Sequence, residues 1–181
     1  RRKEGAFAAS LAAIRRCRDA GLKVGIRFTL TQDNALDLPA LLALMEDERI
    51  DKFYLSHLNY GGRGNVNRKS DAVFRATRAA MDLVLDAAWR SLESGARREY
   101  VTGNNDADGV YLLRWVRERF PAAEPHLRAK LAQWGGNRSG VDIANIDNLG
   151  NVHPDTFWWD VTLGNVKTRP FSAIWSDVSN P

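Results

Sequence analysis

The sequence predicts an α/β fold with parallel strands and helices packed outside them. Stretches with apolar residues at helical spacing alternate with short stretches of apolar–polar alternation, in the order helix, strand, helix, strand, helix. The connections are long enough to cross over, which parallel strands need and hairpins do not. Hydrophobic residues make up 44% of the 181, enough for one compact core and a small second unit.

From Gly5 to Ala20, Phe7, Leu11, Ile14 and Cys17 mark one face of an amphipathic helix, and Gly21 stops it. Cys17 is expected to be a buried structural thiol. Leu22 to Thr31 then alternates: Val24, Ile26, Phe28 and Leu30 point one way, Gly25, Arg27 and Thr29 the other. Turn residues Thr31 to Asn34 precede a second helix, opened by Leu38-Pro39 and carrying Leu41, Leu42, Leu44 and Met45.

Asp51 to Leu58 is a second strand whose parity stays open, because Phe53, Leu55 and His57 share one face and Tyr54, Ser56 and Leu58 the other. A glycine-rich loop, Asn59 to Asn65, leaves it. A long helix follows from about Asp71 to Glu93, with Phe74, Met81, Val84 and Ala88 on its buried side. Glu99 to Thr102 is a short third strand, followed by the polar turn Gly103-Asn104-Asn105-Asp106.

Two helices come next. The first carries Val110, Leu113, Trp115 and Val116 and ends before Pro121; the second runs from about Ala123 to Trp134. Val141 to Ile146 and Val152 to Trp158 flank Asp147-Asn148-Leu149-Gly150-Asn151, a hairpin signal. A second turn at Leu163-Gly164-Asn165-Val166 leads to a short helix from Pro170 to Trp175.

One cysteine rules out an internal disulfide framework and any metal site built from several thiolates. The net charge of +4 comes from scattered arginines, without the basic–aromatic motifs of nucleic-acid binders, so nucleic acid is not expected as a partner. No apolar run is long enough to span a membrane, and a cytoplasmic location is expected. The chain opens on Arg1 and closes on Ser179-Asn180-Pro181, which reads as an internal fragment of a longer protein.

In a parallel βα architecture, chemistry gathers at the carboxyl ends of the strands. Arg27 and Thr29 lie on the first strand's polar face, where a charged group needs a ligand anion, a neighbouring carboxylate or solvent. Ser56, His57 and Leu58 end the second strand; His57 is either a proton-transfer group or a hydrogen-bonded structural histidine. Arg63 in the glycine-rich loop can contact an anion, and Asn104, Asn105 and Asp106 either bind a polar ligand edge or form a turn. His153-Pro154-Asp155 is too small a ligand set for a metal, and no metal-binding residues are assigned. The tryptophans at 115, 134, 158, 159 and 175 either pack a core or line a flat aromatic site.

Arg2 to Phe7, Gly21 to Thr31, Asn34 and Gly61-Gly62-Arg63-Gly64 together resemble the later barrel strands of radical S-adenosylmethionine enzymes with a SPASM or related auxiliary domain. Gly135-Gly136, Asp147 to Pro154, Leu163 to Val166 and Phe171 to Trp175 resemble the opening of that auxiliary domain. Asp51 to Tyr60, Thr102 to Tyr111 and His153 to Trp159 are similar to the haem d1 biosynthesis branch of the superfamily.

The resemblance implies the C-terminal half of a partial (β/α)6 barrel over residues 1–98, a helical connector over 99–135 and the start of an auxiliary domain over 136–181. It implies S-adenosylmethionine, a catalytic 4Fe-4S cluster whose ligands lie outside this chain, room for an auxiliary cluster, and an electron donor. It also implies radical removal of propionate side chains from didecarboxysiroheme, a tetrapyrrole. On that reading Arg27, Thr29, Ser56, His57 and Leu58 lie near S-adenosylmethionine, and Arg63, Asn104, Asn105 and Asp106 meet the substrate. The Cys-x-x-x-Cys-x-x-Cys motif of the superfamily is absent, and Asp155 and Ser139 stand where many auxiliary domains place cysteines, so the chain alone is expected to be inactive. Two other readings remain: a peptide-modifying member of the superfamily, and a cluster-free tetrapyrrole-binding protein.

Overall fold

The computed structural model describes residues 4–103 and 105–180, without the side chain of Arg63. It opens with α1, Ala6–Asp19. Leu11, Ile14 and Arg18, three and four residues apart, are the half-buried face of this helix, and Arg18 donates to the Glu48 carbonyl at 2.9 Å. Cys17 falls off that face and is exposed, contrary to the buried thiol expected, and Phe7 is exposed as well. The reason is that α1 buries none of its residues fully.

Strand β1, Gly25–Thr29, pairs in parallel with β2, Lys52–Ser56, which pairs in parallel with β3, Glu99–Gly103. Glu99–Gly103 is the third strand of the sheet, where the sequence predicts a short strand from Glu99 to Thr102. Register sets Arg27 beside Tyr54 and Tyr54 beside Val101, and it sets Thr29 beside Ser56 and Ser56 beside Gly103. Ile26 and Phe28 of β1 pack on the core with the fully buried Leu30, as alternation predicts. The parity left open for β2 is settled by its burial: Phe53 and Leu55 join the same core, so Tyr54 and Ser56 take the opposite face.

Two helices cover the apolar face. In α2, Leu38–Asp47, the proline at the second position fixes the helical φ where no amide donor is needed, and Leu38, Leu42 and Met45 reach the core. In α4, Phe74–Glu93, the buried stripe is Ala80, Met81, Val84, Ala87 and Ser91. Ala88 is half-buried beside it. Phe74, expected inside, is 81% exposed because it is the first helical residue and overhangs a cavity beyond the sheet. Between β2 and α4 the glycine-rich loop is not wholly irregular, since Arg63–Val66 closes a helical turn, α3.

Helix α5, Ala107–Arg119, is held against α4 by polar rungs one turn apart. The Tyr111 hydroxyl donates to Asp82 at 2.9 Å and the Trp115 indole to Asp86 at 3.2 Å, with Arg119 joining Asp86 at 3.5 Å. Helix α6, Glu124–Trp134, ends at Gly135 with φ 77°.

The remaining residues form a second, antiparallel sheet, in which β4, Asn145–Ile146, and β5, Asn151–His153, make the expected hairpin with shorter arms. Leu163-Gly164-Asn165-Val166, expected as a turn, instead contributes β6, Gly164–Asn165, paired to β5. The Asn165 amide explains this, donating to the Asn151 side chain at 2.9 Å and to the Leu149 carbonyl at 3.2 Å. The last helix, α7, is Phe171–Trp175 and buries Ile174. This unit touches the loop after β2 at Gly61, where a Cβ would lie 2.7 Å from the Phe157 ring. Among the described residues no helix is long and apolar enough to cross a membrane.

Candidate functional site

Two polar regions meet at the carboxyl end of the parallel sheet. On the face turned away from α2 and α4, the Arg27 guanidinium lies 4.9 Å from the centre of the Tyr54 ring and donates to Ser56 Oγ at 3.2 Å. No described carboxylate lies within ion-pair distance of Arg27, so the neighbouring-strand carboxylate weighed for it is replaced by an aromatic face and a hydroxyl. Tyr54 reaches across to β3, where a Cβ at residue 103 would sit 2.0 Å from its phenol oxygen; Gly103 leaves the room it needs. Thr29 stands exposed on this same face, and its carbonyl accepts from the Asn34 amide at 2.9 Å.

His57 and Leu58 turn to the other side. They line a cavity of about 400 Å³ between the first turns of α4 and α5, with Asn105, Asp108, Tyr111 and Phe74. His57 Nε2 lies 2.9 Å from both oxygens of Asp108, an N–H shared by the two lone-pair edges of one carboxylate. The side chains retain 11% and 9% of their exposure, so Asp108 is buried and His57 largely so, and Asp108 sits in the first turn of α5 where the helix dipole favours an anion.

The Tyr60 hydroxyl donates to Asp71, both lining the same cavity, which holds the phenol above its ordinary pKa. Burial, then the bond to Asp82, raises Tyr111 as well. Both phenols therefore stay protonated donors through the neutral range.

The structure thus gathers Arg27, Thr29 and Ser56 on one face and His57, Leu58 and Asn105 around the cavity. Asp106 is exposed and lines a neighbouring groove behind β3. Asn104 and the Arg63 side chain lie outside the described residues. Asp108, Tyr54 and Tyr111 are additions that the sequence did not single out. Asp108 carried one readable signal, an acidic residue in the first turn after a strand-ending polar turn; Tyr54 carried none until parity was known.

Elsewhere, His153 Nδ1 donates to the Val161 carbonyl at 2.8 Å and its ring lies 5.2 Å from that of Trp159, a structural role as read from the hairpin. The Ser139 hydroxyl donates to Asp155 at 2.9 Å. Of the five tryptophans weighed as a flat site, Trp115 is buried while Trp134, Trp158 and Trp159 are about half exposed and sit on separate elements from it. No three metal-ligating side chains gather among the described residues.

No family model matches the chain. It is 55% identical over 174 residues to the pre-heme d1 synthase of Dinoroseobacter shibae, an alignment covering 95% of this chain and 43% of that protein. It is 37% identical over 177 residues to the Fe-coproporphyrin III synthase of Methanosarcina barkeri, covering 98% and 44% respectively. The structure of Streptococcus suis SuiB bound to the precursor peptide SuiA superimposes with TM-score 0.64 over 93% of this chain and 37% of SuiB, at 14% identity, a likeness of fold. The chain spans less than half the length of either curated relative. The resemblance to the haem d1 branch of the radical S-adenosylmethionine enzymes holds along nearly the whole of it.

Proposed function

We propose that this chain is part of a radical S-adenosylmethionine enzyme of haem d1 biosynthesis that removes propionate side chains from didecarboxysiroheme. The observation that carries this reading is the 55% identity to a pre-heme d1 synthase across 95% of the chain. The parallel sheet, helices on one face and a polar opposite face, suits the closing strands of a partial (β/α)6 barrel, and the antiparallel unit from residue 136 suits the opening of an auxiliary domain.

The residues on the polar face fit S-adenosylmethionine in chemistry. Arg27, with no described carboxylate beside it, offers a fork for the amino acid carboxylate, while Thr29 and Ser56 offer hydroxyls and Tyr54 a ring face. When bound, the cofactor and its reduced cluster supply the hydrogen abstraction that starts such chemistry. The cluster itself does not fit this chain: the sole cysteine, Cys17, is exposed on α1, so the thiolate ligands would come from the rest of the protein, and an electron donor would reduce the cluster they hold. His57 and Leu58, read from the sequence as lying near S-adenosylmethionine, line the cavity with Asn105, and on that ground are reassigned to the substrate side, with Asp108 fixing the imidazole; Arg63, Asn104 and Asp106 remain assigned to the substrate-facing loops.

The test uses the full-length protein, anaerobic and reduced, with S-adenosylmethionine and didecarboxysiroheme. Mass loss matching the propionate arms, with 5′-deoxyadenosine formed alongside, is the expected result, and Arg27→Gln should weaken S-adenosylmethionine binding about tenfold. An unaltered tetrapyrrole from a protein that cleaves S-adenosylmethionine only when a peptide is supplied would move it to the peptide-modifying class.

A further inference from the structure

We infer that a four-arginine groove beside the cavity binds the carboxylate arms of a flat, largely apolar polycarboxylate whose body enters the cavity next to His57. This rests on the tetrapyrrole reading above and adds a recognition surface to it.

The groove, about 520 Å³, is walled by Arg78 of α4, Arg114 and Arg117 of α5 and Arg128 of α6. Arg78, Ala107 and Tyr111 line both the groove and the cavity, so the two spaces are adjacent. Helical spacing makes the arrangement: Val110, Arg114 and Arg117 are four and three residues apart and share one face of α5.

Local charge is not balanced. Arg114 pairs with Glu118 at 2.8 Å and Arg128 with Glu124 at 2.9 Å, each on its own helix. For Arg78 and Arg117 no carboxylate lies within 4 Å among the described residues, and Arg78 instead lies 5.8 Å from the Phe74 ring centre. Neither guanidinium thus has a carboxylate in ion-pair contact, although Arg117, after Arg114, helps lower the Glu118 carboxyl, and Val110, an apolar side chain 71% exposed, lines the same groove.

The cavity has the opposite character. Its carboxylates are already engaged, Asp108 by His57 and Asp71 by Tyr60, and Leu58, Phe74 and Met81 supply apolar wall. An apolar plate with carboxylate arms matches the pair of spaces, since a guanidinium meets a carboxylate through two parallel hydrogen bonds.

The experiment measures binding of coproporphyrin III, a tetracarboxylate, and of its tetramethyl ester to the full-length protein by absorbance titration. The parent should bind the acid at least tenfold more tightly than the ester. Arg78→Gln/Arg117→Gln should weaken the acid about tenfold or more and leave the ester unchanged. Arg117→Gln alone should show a smaller loss in the same direction, and Arg138→Gln, at a remote surface pair with Asp142, should behave as the parent. Equal binding of the acid by parent and double variant overturns the inference and leaves the tetrapyrrole reading standing. An equal loss in Arg138→Gln also overturns it, as a general charge effect. A parent that binds neither porphyrin, even with clusters intact, overturns both.

Discussion

At the scale of single residues, the most consequential contact is the one between His57 and Asp108. The imidazole N–H is held by both oxygens of a buried carboxylate, so removing the acceptor loses a charge-assisted hydrogen bond. Asp108→Ala should lower stability by about 1–3 kcal/mol, whereas Asp108→Asn, which keeps an accepting oxygen, should lose less. Urea midpoints of the two variants check this, and equal midpoints would remove the pair's structural importance. His57 was readable in the sequence as a strand-end histidine, with a structural role and a chemical one both open. Its partner was not readable, because Asp108 lies on another strand's following helix and only the parallel pairing of β2 with β3 brings the two together.

At the scale of elements, alternation and helical spacing located the three parallel strands and the five helices of ten residues or more, among the described residues, to within a few residues. The errors fell where few neighbours exist. α1 has too little surface against it to bury Cys17, and Phe74 projects past the end of the sheet. The second sheet was half legible: Asp147 to Asn151 announced a hairpin, but β6 depends on the side-chain amide of Asn165, which propensity does not see.

In the hairpin turn, burial alone would raise the Asp147 carboxyl. It is overcome by bonds from the Asn151 side chain and backbone, His153 and the Leu149 amide, which bring it down to about 2. Because the folded value lies below the unfolded one, the contribution is complete above about pH 4 and is lost as pH falls toward 2. Asp147→Asn should remove that acid-dependent step, seen as a flatter loss of the hairpin's amide protection between pH 4 and 2. A parallel pH course for parent and variant would count against it.

At the scale of the whole chain, the sheet ends in two strands, β1 and β3, each with one unpaired edge within the described residues. Unpaired edges recruit other strands, so this stretch expressed alone should self-associate. Sedimentation velocity at rising concentration measures that, and a clean monomer at all concentrations would contradict it. Fold class was legible at this scale because crossover length and alternation are local properties. The placing of polar groups on two sides of one sheet end was not, since it follows from register among segments far apart in sequence.

The contact between Gly61 and Phe157 has an optical consequence. Phe157 is followed by Trp158 and Trp159, both about half in solvent, and the ring occupies the space where residue 61 has no side chain. A shift of the loop after β2 is expected to displace that ring and, with it, the two indoles next in the chain. With Trp89, Trp115, Trp134 and Trp175 replaced by Phe, the emission wavelength of the remaining pair should gauge events at the strand end some hundred residues earlier in the chain, without an added label.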